Sequence, residues 1–397
     1  MGSVILKLVH QPVISTTHGK LRWHPYAKPP LGELRFKSPQ PPEPWVDVRD
    51  CTKCPPMHTS NRYTGVIEGS EDCLYLSLYA KKLHSEALLP VIVYLIGGRF
   101  TTGDPSRSTW GPDYIMMKDV IFISIGFRMG ALGFLSFADP ELQVPGNAGL
   151  KDIYWHYNGS GAAQILMHLP QCKTLFHKVI LMSGTQMHIR KIPKVEYRFA
   201  KHLGYNAERL CDLQIFTPEE LEEGHLFVFS LVIEDERVPD AVITKDPLIL
   251  FANKQAWCNG IPIIMAEIPL KYLISHEIRD KCSLSQQQML ARKIINLHLG
   301  ANELCAKHVF DVLRLCSYDF IYHPIHRYLR YRMASASAST YLYRFDYDSL
   351  NFNLYRIKHC GREVRGVSHV DELSYIFYTP DSFKLTQDQK SFRLLST

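Results

Sequence analysis

The chain has 397 residues, 46% hydrophobic, 11% aromatic and 21% charged, with 23 glycines and 24 prolines. Those fractions describe a folded protein and exclude disordered, collagen-like and disulfide-miniprotein classes. The formal net charge of +6 is spread thinly, with no long run of Lys or Arg, so composition gives no support to a nucleic-acid partner.

The first third reads as sheet and turns. Leu74–Tyr79 is a β-type run. Val91–Ile96 is apolar at every position, the pattern of a strand buried on both faces, and Val120–Ile125 is of the same kind. Gly97-Gly98, Gly103 and Asp104-Pro105 supply turn chemistry between them. Lys178–Met182, followed by Ser183-Gly184, predicts a fourth buried strand, Ile261–Met265 a fifth and Thr340–Phe345 a sixth. Helical patterns fall at Tyr197–Leu203, Gln286–Leu299 and Asn302–Leu315, and Ala334–Ser339 is read as closing a helix before the sixth strand. Buried strands alternating with helices predict an α/β fold with a mainly parallel sheet. No repeat, low-complexity tract or linker divides the chain, so residues 1–397 are read as a single domain.

No segment approaches the ~18 consecutive apolar residues of a transmembrane helix. Residues 1–10 hold only a brief apolar stretch broken by Lys7, which does not read as a signal peptide, and Leu6 stands where a myristoylation signal requires Ser or Thr. The ten cysteines are scattered, and Cys51-Thr-Lys-Cys54 has no second pair at zinc spacing, so no metal and no cofactor is expected. The expectation is a cytoplasmic protein with mostly free thiols. Asn158-Gly159-Ser160 is a glycosylation sequon that carries meaning only in a secreted chain.

Several segments together carry a resemblance. They are Ala27–Phe36, Glu71–Leu76, Gly130–Leu135, Pro145–Asp152, Leu175–Lys178 with Met182-Ser183-Gly184, and Gly366–Leu373. Their wording and order resemble the type-B carboxylesterase and cholinesterase family of α/β-hydrolases from near residue 14 to near residue 378. Tyr341–Asp348 and Arg362–Phe377 look closest to intracellular insect α-esterases. The resemblance places Cys51 and Cys73 at the family's first disulfide, expected here to be reduced. It also implies a small-molecule ester as substrate.

Ester hydrolysis on this fold needs a serine on a strand-to-helix elbow, a histidine base, an acid that orients the histidine, and an oxyanion hole. The resemblance assigns the histidine to His369, in Gly-Val-Ser-His-Val-Asp-Glu-Leu. It assigns the oxyanion segment to Gly97, Gly98 and Arg99, the last in place of a third glycine. A side chain there enters a site where glycine allows close approach, and loss of one oxyanion donor costs roughly 3–4 kcal/mol. The family's acid position falls on Lys271, which would repel an imidazolium; Glu267 or Glu277 could substitute only in a rebuilt loop.

The nucleophile is the larger departure. Relatives place a helix and then a strand between the Gly-Asn-Ala-Gly-Leu-Lys-Asp segment and a G-x-S-x-G elbow. Here only residues 153–158 intervene before Gly159-Ser160-Gly161, and a parallel crossover alone needs about a dozen residues. Ser160 lacks both elbow glycines and lies one place late when Gly161-Ala162-Ala163 is aligned with the family. It remains the candidate nucleophile, against a polar turn residue at a splice.

The resulting expectation is an α/β-hydrolase fold lacking the strand before the elbow, internally deleted near residues 153–158 and shortened at its carboxyl end. Strands on either side of the gap must pair directly or leave open edges, at ~1–3 kcal/mol per unpaired buried group. The polypeptide is therefore expected to fold poorly or to rearrange its sheet. Its function is expected to be that of a catalytically impaired family member, a pseudoenzyme with a degenerate triad. The alternatives are a working carboxylesterase on small esters, using Ser160 and His369, or a non-catalytic binding or adhesion protein.

Overall fold

A computed structural model of the chain describes residues 13–14, 20–46, 49–50, 59–60, 67–81, 88–98, 100–101, 103–107, 109–137, 144–156, 160–182, 199, 231–238, 240–267, 286, 289–290, 293, 296 and 322–379. The chain forms two compact units. One comprises Met1–Ala162, Lys191–Asp246 and Ile376–Pro380; the other comprises Ala163–Arg190, Pro247–Tyr375 and Asp381–Thr397.

The first unit holds strands β1 (Lys20–Pro25), β2 (Tyr75–Tyr79), β3 (Val91–Leu95) and β4 (Ile121–Ile125). They form one sheet in the order β1-β2-β4-β3. The β1/β2 and β2/β4 pairs are antiparallel and the β3/β4 pair is parallel. Strand β4 lies inside this order and buries Phe122, Ile123 and Ile125 almost completely. Strand β1 changes register between Leu21 and His24, with Trp23 held at φ +58. An extra residue accommodated in this way is a β-bulge, which twists the strand and re-aims its side chains.

Two short helices follow β4: α1 (Gly130–Phe134) and α2 (Ala148–His156). Their glycines are dictated by close packing, since a Cβ at Gly133 or at Gly149 would run into the carbonyl oxygen of Arg128. The same Arg128 is fully buried and donates from Nε, Nη2 and its backbone N–H to the carboxylate of Asp152 on α2.

The second unit holds β5 (Val179–Leu181), β6 (Ile263–Glu267) and β7 (Thr340–Arg344), an all-parallel sheet in the order β5-β6-β7. Helix α5 (His323–Ser335) has a proline in its first turn, where the missing N–H costs nothing. It buries Ile325, Tyr328 and Arg332 at helical spacing, then ends at Ala336 and turns into β7, as Ala334–Ser339 predicted. Helix α4 (Pro247–Ala252) contributes Phe251 to the same core. Residues 286, 289–290, 293 and 296 are helical, as expected for Gln286–Leu299, and Phe199 is helical within Tyr197–Leu203. The helix expected over Asn302–Leu315 lies outside the described residues.

Helix α2 runs to His156 and helix α3 (Ser160–His168) begins after three intervening residues. Residues 157–159 between them lie outside the described residues, and the two main sheets end, among the described strands, at β3 and at β5. Among the described residues the α/β-hydrolase sheet is therefore incomplete. This corrects one sequence expectation: β3 is not buried on both faces, because Val91 is 37% and Ile92 38% exposed. Strand β5 likewise exposes Ile180 (55%), and β7 exposes Tyr341 and Leu342. The apolar patterning fits strands covered on every side, and among the described strands no neighbour covers these edges.

Candidate active site

The segment resembling an oxyanion loop follows β3 directly. Gly97 is exposed and Gly98 half-buried. The carbonyl of Gly98 accepts from the Thr101 backbone N–H (3.0 Å) and from Thr101 Oγ1 (2.9 Å), which closes a tight turn. Phe100 takes φ +62 within it, and its carbonyl accepts from Gly130 N–H at 2.6 Å, tying the turn to the start of α1. Arg99 lies outside the described residues.

A buried polar frame supports the helices that follow. The Asn147 side chain exchanges hydrogen bonds with both backbone groups of Val232 and donates to Glu234 at 2.8 Å. Glu234 also accepts from the N–H groups of Val242 and Ile243 and pairs with Lys151 at 2.8 Å. With Arg128–Asp152, these contacts satisfy the charged residues of the Asn147–Asp152 segment inside the first unit. Ser160 is the first residue of α3. It therefore occupies a helix start, and residues 157–159 before it lie outside the described residues.

Strand β6 ends at Glu267, and Lys271 and Glu277 lie outside the described residues. Cys73 is a buried free thiol whose pKa is pushed far up by burial and by Asp152; Cys51 and Cys54 also lie outside. Among the described residues no His, Cys, Asp and Glu side chains gather in a metal-binding group.

The histidine segment is the most completely built part of the candidate site. His369 is half-buried in the loop between α6 (Leu354–Cys360) and α7 (Leu373–Ile376). Asp371, fully buried, accepts from Ser368 N–H (2.7 Å), Ser368 Oγ (3.1 Å) and the Arg356 backbone N–H (3.0 Å). The Arg356 guanidinium, 2% exposed, donates to the carbonyls of Ser349 (2.8 Å), Gly361 and Val364. Asn353 Nδ2 reaches the carbonyls of Tyr347 and Gly366. Both ends of the loop are thus held by side chains from α6 and its flank. The sequence reading did not single out Asp371, Arg356 or Asn353. One signal was available: Ser368-x-x-Asp371 before an apolar run has capping-box spacing, in which the acid reaches back to the N–H of the capping residue.

A second cluster of reactive side chains lies in the core of the second unit. His168 Nε2 is 3.1 Å from the Tyr328 hydroxyl, and Cys258 Sγ is 3.6 Å from His168 Nδ1. Arg332 donates to the carbonyls of Cys258 (2.8 Å) and Ile261 (2.9 Å). Burial, aided by the Arg332 charge, lowers the His168 pKa to about 4, and burial raises the Cys258 thiol to about 11. A thiol held in its neutral form is a poor nucleophile. The cluster is core packing with satisfied polar groups, not a Cys–His reaction centre.

The chain matches the sequence model of the carboxylesterase family over residues 24–155 and 156–394. It belongs to that family. The two matched segments abut at residues 155 and 156, where α2 ends. Among similar proteins, Esterase B1 of Culex pipiens is 29% identical, the alignment covering 89% of this chain and 77% of that protein. Juvenile hormone esterase of Tribolium castaneum is 27% identical over 94% of this chain and 76% of its own length. The crystal structure of juvenile hormone esterase from Manduca sexta, with OTFP covalently attached, superposes with a TM-score of 0.78. It shares 25% identity and covers 91% of this chain and 80% of its own. A PNB esterase structure, at 23% identity and a TM-score of 0.67, shows the same fold. Similarity to insect esterases thus agrees with the resemblance carried by the motifs. Among the described residues no helix is long and apolar enough to cross a membrane.

Proposed function

We propose that this family member has lost efficient ester hydrolysis while keeping the family's histidine loop. The observation that carries the reading is the junction of α2 and α3: three residues separate His156 from Ser160, too few to hold both a strand and an elbow. The acid position at Lys271 and the replacement of an oxyanion glycine by Arg99 point the same way. A fluorophosphonate probe tests it. The expected result is no covalent labelling of any serine under conditions that label an active esterase fully. Labelling at Ser160 that disappears in Ser160→Ala and weakens in His369→Ala overturns it.

One observation favours a second reading, a working carboxylesterase on small esters. Ser160 begins a helix, where backbone N–H groups favour the charge that develops in acyl transfer. The same labelling experiment separates the two.

A further inference from the structure

The chain has no long run of Lys or Arg, yet its second unit sorts charge along the sheet. Residues 163–182, 247–266 and 322–345 supply α3, α4, α5, β5, β7 and all of β6 but its last residue. Together they contain seven Lys or Arg residues and no Asp or Glu. The first acids to follow are Glu267, which ends β6, and Asp346, just past β7. Strands β5, β6 and β7 are parallel, so all three start at one end of the sheet. Those acids lie at the finishing end, and the starting end carries only cations in these segments.

Three lysines stand there on one framework. Lys173 and Lys178 flank the segment that enters β5, and Lys254 lies on the turn that leads through Trp257–Gly260 into β6. All three are exposed, and none is ion-paired among the described residues. The two segments are locked together inside the second unit. The Phe176 and Trp257 rings are 5.3 Å apart, and Trp257 Nε1 donates to the Leu169 carbonyl at 3.0 Å. Met333, 85% exposed on the last turn of α5, follows Arg332, which bonds the Cys258 and Ile261 carbonyls of the same turn.

We propose that this end of the second unit docks on an anionic lipid surface. Phosphate backbones and carboxylates read group by group favour the planar fork of Arg, whereas lysines suit a diffuse field of headgroups. Lysine is also depleted at protein–protein interfaces. Single-stranded nucleic acid stacks its bases on free aromatic faces, and here Phe176 and Trp257 are half-buried against each other. The exposed thioether of Met333 adds an apolar group that a lipid interface accepts.

Vesicle flotation with the full chain at low ionic strength tests the proposal. The chain should float with vesicles of phosphatidylcholine and phosphatidylserine in equal parts and not with phosphatidylcholine alone. Salt at ~1 M, where the Debye length is ~3 Å, should release it. Lys173→Gln, Lys178→Gln and Lys254→Gln should each weaken binding about five-fold, and the triple variant about a hundred-fold, with an unchanged circular dichroism spectrum. If the triple variant loses its fold, the single ones decide. Lys81→Gln, in the first unit, should float as wild type does. No binding to the anionic vesicles, equal binding to phosphatidylcholine alone, lysine variants bound as tightly as wild type, or tighter binding to duplex DNA or polyglutamate than to the vesicles each overturns the proposal.

Discussion

The loop that carries His369 and the junction that carries Ser160 are built very differently. The loop is fixed by local hydrogen bonds: Asp371 to Ser368 and Arg356, Arg356 to Gly361 and Val364, Asn353 to Gly366. All of these partners lie within about twenty residues of one another, so the loop keeps its form without help from the missing strand. A nucleophile elbow exists only where a strand delivers the chain to a helix, and here α2 hands over to α3 in three residues. Locally bonded geometry outlives the loss of a sheet strand; geometry imposed by that strand does not.

The comparison breaks hardest on the upstream side of the junction, at the Arg128–Asp152 pair. Asp152→Ala leaves a fully buried guanidinium without its carboxylate, and the expected destabilisation is about 3–5 kcal/mol, read as a lower midpoint in urea unfolding. Downstream, α3 carries His168. Its folded pKa is about 4 against an ordinary 6.5, so the unfolded chain binds the proton more readily. The stability associated with the neutral ring is present above pH 6.5 and is lost as pH falls toward 4, amounting to about 3 kcal/mol. Unfolding curves at neutral and acid pH should show His168→Gln with a flatter pH dependence than wild type.

In the histidine loop, Asp371→Ala orphans three donors, two of them backbone N–H groups. The expected cost is about 1–3 kcal/mol, with faster proteolytic nicking between Gly361 and Val370 than at the junction. The smallest effect sets the baseline. Lys81 and Asp119 form a 2.8 Å pair with both side chains exposed, and Lys81→Ala should shift stability by less than about 1 kcal/mol, a shift further reduced in high salt. A loss at Lys81 as large as that at Asp152 would sink the distinction between buried framework and surface.

Much of this architecture was legible in the sequence because strands and motifs are local signals. The runs at 74–79, 120–125, 178–182 and 261–265 all contain observed strands, and the Gly-Asn-Ala-Gly-Leu-Lys-Asp segment opens α2. The shortfall at residues 153–158 was also legible, as a length too small for what relatives place there. The partners of the buried charges were not. Arg128 and Asp152 are 24 residues apart, and His168 meets Tyr328 across 160, separations at which no periodicity reports contact.

By itself, then, the sequence determined the family, the order of the strands along the chain and the shortness of the stretch before Ser160. Each follows from residue patterns or from counting. Only the tertiary structure decided that β1 to β4 and β5 to β7 fall in separate sheets among the described strands, and that Val91 and Ile92 of β3 are exposed. A run of apolar residues states that a strand prefers cover. Whether another strand is in place to hydrogen-bond its edge depends on the rest of the chain.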